Sequence, residues 1–117
     1  MIMSTIFAKI IAGEAPADIV FQDDRVTAFR DIEPAAPTHI LIVPNKAVAT
    51  VNDLEPGDTE LVGHMVLTAQ RLAREEGIAA DGYRLIINCN EHGNQEVFHL
   101  HLHLLGGRHL GSMIKRV

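Results

Sequence analysis

The sequence predicts one α+β domain, an antiparallel sheet packed against helices. Three observations carry the prediction. The chain has 117 residues, about the size of a single hydrophobic core. It is 47% hydrophobic and 21% charged, so a packed interior is expected rather than disorder. Helical patterns are few, and the strand-like stretches are mostly joined by short connections.

The elements follow in order. Ser4 is a good N-cap, and Ile6, Phe7, Ile10 and Ile11 recur at helical spacing before Gly13, so residues 5–12 read as a short helix. Pro16 breaks the chain, and Ile19-Val-Phe21 reads as extended. After a turn at Gln22-Asp-Asp-Arg25, Val26 to Asp31 closes a hairpin. Pro34 and Pro37 bound a rigid connector into a buried strand from His39 to Pro44, and Asp53 to Asp58 reads as a turn around Pro56-Gly57. Residues 59–76 carry the longest helical pattern. Leu61, Met65, Thr68 and Leu72 fall on one side of it, with Val62, Val66, Ala69 and Ala73 beside them, and Gly77 ends it. Tyr83 to Asn88 is a fourth strand, Cys89 to Gln95 a polar loop, and Val97 to Leu105 the last strand, stopped by Gly106-Gly107.

Composition narrows the function classes. A single cysteine, Cys89, excludes an internal disulfide and any multi-cysteine metal site. Lys and Arg total 10 against 15 Asp and Glu, a formal charge of −5. The largest basic cluster is Lys115-Arg116, so no nucleic-acid partner is expected. The opening residues lack a basic segment before an apolar one, and Ile40-Leu-Ile-Val43 is far shorter than the roughly 20 residues that span a bilayer. No signal peptide and no membrane partner are expected, and the chain reads as a cytoplasmic protein.

Histidine is the outlier: there are seven, and three alternate in His99-Leu-His-Leu-His103. In a strand, His99, His101 and His103 share one face, while Phe98, Leu100, Leu102 and Leu104 share the other. The apolar face is core. The imidazole face is a wet or ligand-facing surface, because three buried imidazoles would each need partners. His64 reads as a structural residue on its helix, and His92 and His109 as solvated. A metal is one reading of the triplet. On a regular strand the outer two imidazoles stand about 13 Å apart, so at most two adjacent ones reach one ion, with His39, His92 or a carboxylate as a third ligand. Nucleophilic catalysis fits better. Neutral imidazole attacks phosphorus without a separate strong base, and its neighbours hold phosphate oxygens and supply a proton. His39 opens another strand and can approach the same face, and the Asn88–Gln95 loop offers amide donors for an anion.

At this point the residues match a known pattern. His99-Leu-His-Leu-His-Leu-Leu105 resembles the signature of the histidine triad (HIT) superfamily. Ile6-Phe-Ala-Lys-Ile-Ile11, Phe29-Arg-Asp-Ile32, Ala36-Pro-Thr-His39, Gly82-Tyr-Arg84 and His103-Leu-Leu-Gly-Gly-Arg108 resemble its histidine triad nucleotide-binding (Hint) branch. The Gly-Gly after the triad is similar to that branch rather than to the dinucleoside-polyphosphate hydrolases. The resemblance covers nearly all of residues 1–117, read as a single HIT domain. It implies a five-stranded antiparallel sheet with two helices per subunit, and a homodimer with a continuous ten-stranded sheet. It also implies hydrolysis of purine nucleoside 5′-phosphoramidates to AMP and an amine, with no metal and no cofactor.

Carried onto this chain, the resemblance makes His101 the nucleophile that forms a covalent nucleotidyl-histidine. It has His99 polarise His101 through its backbone carbonyl, His103 bind phosphate, and His39 stand behind them. Asp31 matches the residue that binds the ribose hydroxyls. Phe7, Ile10, Phe29, Ile32 and Leu41 fall where the base is enclosed, although Phe7, Ile10, Phe29 and Leu41 read as core on periodicity alone. Asn88, Gln95, Glu96 and Val97 fall by the phosphate. Two positions depart from the pattern: Glu96 stands where animal members have a serine near the leaving group, and Asn94 replaces a loop glycine. A carboxylate at Glu96 either repels the phosphate, points outward, or selects a cationic amine. The tail Met113-Ile-Lys-Arg-Val117 has no aromatic residue, which leaves the amine side of the substrate open. Acyl- or aminoacyl-adenylates are a second substrate class for the same site. A nucleotide-binding scaffold with incidental catalysis is the alternative from another class.

Overall fold

The computed structural model describes residues 5–115. A short helix, α1 (Ile6–Ile11), leads into strands β1 (Ile19–Gln22), β2 (Val26–Arg30) and β3 (Thr38–Pro44). Helix α2 (Thr59–Glu75) and strands β4 (Tyr83–Ile86) and β5 (Leu102–Gly106) follow. The five strands form one sheet in the order β1-β2-β3-β5-β4, and every pairing is antiparallel.

The period-two pattern decides what each face of the sheet meets. Val26 and Ala28 of β2, Ile40 and Ile42 of β3, and Leu102 and Leu104 of β5 pack with Met65, Ala69, Leu72 and Ala73 of α2. The intervening Phe29, Leu41 and Val43 pack with Phe7 and Ile10 of α1 on the opposite face. Central β3 is therefore buried at all seven positions. It reads as a continuous apolar run because neither of its faces meets water.

Polar links fix α2 across the sheet. Both guanidinium nitrogens of Arg30 bind the Glu76 carboxylate, at 2.8 and 2.9 Å. The Arg71 guanidinium lies 4.1 Å from the ring centroid of Phe21. His64 has the structural role expected of it: its Nε2 is 2.7 Å from Oδ2 of Asp23 in the β1–β2 turn. Oδ1 of Asp23 accepts from the amides of Arg25 and Val26.

Several expected boundaries move. Ser4 lies outside the described residues, and α1 is capped by Thr5, whose Oγ1 accepts from the Ala8 amide. The 53–58 turn forms the second half of two 3₁₀ turns, Val51–Asp53 and Pro56–Asp58. Val66 on α2 is 42% exposed, outside the buried stripe. The fourth strand stops at Ile86 rather than at residue 88.

The largest correction concerns the last strand, expected over 97–105, which begins only at Leu102. Its ladder with β3 ends at the Ile42–Leu102 pair, and its ladder with β4 ends at Ile86–His103. The chain before Leu102 is fastened differently. The Leu100 amide donates to the Val48 carbonyl at 2.7 Å, and His99 Nε2 binds the Pro44 carbonyl at 2.7 Å. Phe98, expected in the core, is 50% exposed, because the backbone bends there and the strand alternation does not hold.

Candidate active site

A cavity of about 420 Å³ opens on the α1 face of the sheet. Such a volume suits a small organic ligand. Phe7 and Ile10 reach it from α1, Phe29 from β2, and Leu41 from β3. These four and Val43 form the small apolar cluster on that face, with Phe7 edge-on to Phe29 at 5.3 Å between ring centroids. Asp31 and Ile32 border the cavity just after β2, and Glu96, Val97, His101 and His103 also line it.

The three histidines of the motif gather on this side even though only His103 belongs to a strand. Phe7 stands edge-on to His99 at 6.4 Å and to His101 at 5.0 Å, and the His101 and His103 rings are 5.0 Å apart. His101 and His103 line the cavity, whereas His99 does not. The His99 ring is 3% exposed, with its Nε2–H donating to the Pro44 carbonyl.

Hydrogen-bond partners fix the proton positions of the neutral rings. A carbonyl only accepts, so His101 Nδ1 carries the proton given to the His99 carbonyl at 2.7 Å. That leaves His101 Nε2 with a bare lone pair. The second chain starts at the Ala35 amide, which donates to His39 Nδ1 at 3.0 Å. His39 Nε2 then carries the proton and donates to His103 Nδ1 at 2.9 Å. In consequence His103 holds its own proton on Nε2. The cavity is thus lined by one imidazole with a free acceptor nitrogen and one with a free N–H.

Burial keeps these rings neutral. It pushes the His101 pKa below the usual histidine value, against the opposing pull of its bond to the His99 carbonyl. Burial, reinforced by the neighbouring His101 and His39, brings His103 down to about 4. His39 is lowered by burial as well, with nearby Asp31 working in the opposite direction.

Asp31, His39 and His103 offer ligand atoms within 4.8 Å of one another, the one such group of three among the described residues. A metal fits them poorly. With Nδ1 accepting from Ala35, His39 Nε2 is protonated, and a metal there would strip the ring of its last proton or break the Ala35 bond. Within the group, His39 and His103 are hydrogen-bonded, and Asp31 stands 3.5 Å from His39 Nε2.

Asn88 and Gln95 are near the site in sequence, yet neither side chain lines the cavity. Asn88 Nδ2 donates to the Gly93 carbonyl across the loop. Gln95 is 7% exposed; it donates to the carbonyls of Ala49 and Val97 and accepts from the Asn90 amide. Their polar atoms are spent in shaping the loop, which also needs Gly93, where a Cβ would lie 2.4 Å from the Cys89 carbonyl oxygen. Ile32 borders the cavity while 92% exposed, a rim residue rather than a wall. Sequence reasoning missed Ile6, Arg30, Glu33 and the Ala15-Pro16-Ala17 segment, all of which line the cavity. Only the charges of Arg30 and Glu33, flanking Asp31-Ile32, offered any signal.

Residues 12–110 match the family model described as HIT domain. A purine nucleoside phosphoramidase of Escherichia coli strain K12 is 60% identical over 114 residues, covering 97% of this chain and 96% of the relative. A HIT family hydrolase from Legionella pneumophila superposes with a TM-score of 0.90 at 51% identity, covering 92% of this chain and 96% of that one. A zinc-bound histidine triad family protein from Mycobacterium smegmatis superposes with a TM-score of 0.81 at 32% identity, covering 97% and 82%.

Proposed function

The chain belongs to the HIT domain family, and from that premise we propose that it is a purine nucleoside phosphoramidase, releasing AMP and an amine from a nucleoside 5′-phosphoramidate. The observation that carries the reading is the pair of tautomers on the two imidazoles that line the cavity. His101 Nε2 has a free lone pair, and His103 bears a free N–H one residue pair further along. A phosphoryl group needs these two things: a nucleophile for phosphorus and a donor for its oxygens.

His101 Nε2 attacks the α-phosphorus. The P–N bond breaks, and its electron pair leaves with the nitrogen, which takes a proton from solvent water and departs as the amine. As the Nε2–P bond forms, positive charge develops on the ring, and the His99 carbonyl holding Nδ1–H stabilises it. His103 Nε2–H donates to a phosphoryl oxygen, and His39 Nε2–H fixes that tautomer by donating to His103 Nδ1, with Asp31 3.5 Å from His39 Nε2. Water then attacks the nucleotidyl-histidine, releasing AMP and restoring the bare nitrogen. Phe7, Ile10, Phe29 and Leu41 enclose the base, Ile32 covers it from the rim, and Asp31 takes the ribose hydroxyls. Asn88 and Gln95 hold the loop that delivers Glu96, Val97 and the triad.

AMP release from adenosine 5′-phosphoramidate tests the reading, and its pH profile tests the tautomers. Rings pushed below the ordinary histidine pKa of about 6.5 stay neutral through that pH. After subtraction of the enzyme-free rate, kcat/KM is expected to fall on the acid side with a midpoint below pH 6.5. A midpoint at pH 6.5 or above contradicts the buried neutral pair, and no AMP release contradicts the function.

The protein is also proposed to be a homodimer, joined into a ten-stranded sheet through the exposed edge of β4. That strand ends the sheet, its four residues are only partly buried, and the Ile87 that follows is 38% exposed. An open edge with apolar residues beside it calls for a cover. Sedimentation equilibrium is expected to give twice the 12.8 kDa chain mass, and a monomer would exclude the pairing.

A further inference from the structure

We infer that Glu96 sets the leaving-group preference of the site, favouring amines that carry a second positive charge. The inference rests on the phosphoramidase reading and concerns the part of the substrate that reading leaves open. Two parts of the cavity already have occupants. The apolar end, Phe7, Ile10, Phe29 and Leu41, takes the base, and His101 with His103 takes the phosphate. Glu96 lines the same cavity, is exposed, and carries a charge that reaches His101, so it faces the group beyond the phosphate.

Charge at Glu96 is uncompensated. Among the described residues the Glu96 carboxylate has no ion-pair partner. The one cationic side chain lining the cavity is Arg30, whose guanidinium is committed to Glu76 at 2.8 Å and to Asp18 at 3.5 Å. Buried imidazoles supply no positive charge at neutral pH, because their pKa values are lowered. Glu33 also lines the cavity, on the far side of Asp31 and Ile32. Of the cavity carboxylates, Asp31 and Glu96 act by charge on the His101 ring, and Asp31 is already assigned to the ribose. A leaving amine with a distant ammonium group meets an opposite charge at Glu96, and one with a carboxylate meets a like charge.

The test uses three adenosine 5′-phosphoramidates of similar size, bearing N-(3-aminopropyl), N-butyl and N-(2-carboxyethyl) groups. Their kcat/KM values are compared in wild type, Glu96→Gln, Glu96→Asp and Glu33→Gln. Wild type is expected to favour the aminopropyl over the carboxyethyl substrate by roughly tenfold or more, less at high salt because the carboxylate is exposed. Glu96→Gln brings the ratio close to one, Glu96→Asp keeps most of it, and Glu33→Gln retains the ordering. A wild-type ratio near one, or a ratio that survives Glu96→Gln, overturns the inference while leaving the phosphoramidase reading standing. Absence of AMP release from all three substrates overturns both.

Discussion

Replacing His101 with alanine is expected to lower phosphoramidate turnover by about 10⁴-fold or more while the protein stays folded. Loss of a covalent nucleophile falls in this range, with residual rate from binding and the remaining donors. His101 is well placed for such an experiment. Its ring fills one wall of an open cavity, and its one hydrogen bond runs to the carbonyl of His99, two residues away. Deleting the ring therefore removes the chemistry without opening a void in the α2-side core. AMP affinity, read by calorimetry, is expected to change by less than tenfold, since Phe7, Phe29, Leu41 and Asp31 are untouched. Unchanged turnover with intact AMP binding would make the site a nucleotide cradle, and the scaffold reading would replace the enzymatic one.

The largest effect on stability is expected from Leu104→Ala. Leu104 is 0% exposed and sits opposite Ile40 on β3 and Leu85 on β4 in the sheet register. Its side chain belongs to the cluster that packs the sheet onto Met65 and Leu72 of α2. Truncation loses buried methyl groups and leaves a cavity between β-sheet and helix that rigid neighbours only partly close. The cost is about 3–4 kcal/mol, a fall in melting temperature of roughly 10–20 °C for a chain of this size. Urea unfolding followed by circular dichroism measures it. A loss under about 1 kcal/mol would mean that the layer collapses onto the gap.

Most of the fold was legible because each strand and helix carries its own periodicity. Strand β3 stood out through the apolar run from Ile40 to Val43, and α2 through a stripe at Leu61, Met65, Thr68 and Leu72 with Ala69 and Ala73 beside it. The start of β5 was not legible, for a physical reason. Alternation of His99 and His101 with Leu100 and Leu102 records which way side chains face, and says nothing about whether a neighbouring backbone is there to bond. The neighbouring ladders end at Ile42 and Ile86, so the segment before Leu102 turns to single tethers, the Leu100 amide on Val48 and the His99 ring on Pro44. The site was half legible. Histidine spacing exposed the chemistry, whereas Phe7, Phe29 and Leu41 look like core from spacing alone and are both core and cavity wall. Nothing in Ala15-Pro16-Ala17 signals a role, because small residues shape a wall without chemistry of their own.

The boundary at Leu102 divides the reacting groups between two mechanical settings. His103 and His39 sit on laddered strands, held by backbone bonds on either side. His101 precedes the ladder, on a stretch secured by the Leu100 amide and the rings and amides of its neighbours. During turnover a nucleophile closes from contact distance, about 3–3.5 Å, to a covalent bond and then withdraws, while an oxygen donor keeps its place. The stationary partner is built into the sheet and the travelling one hangs from its end. On the proposed mechanism, the group that moves is thus fastened outside the ladder and the group that stays is inside it.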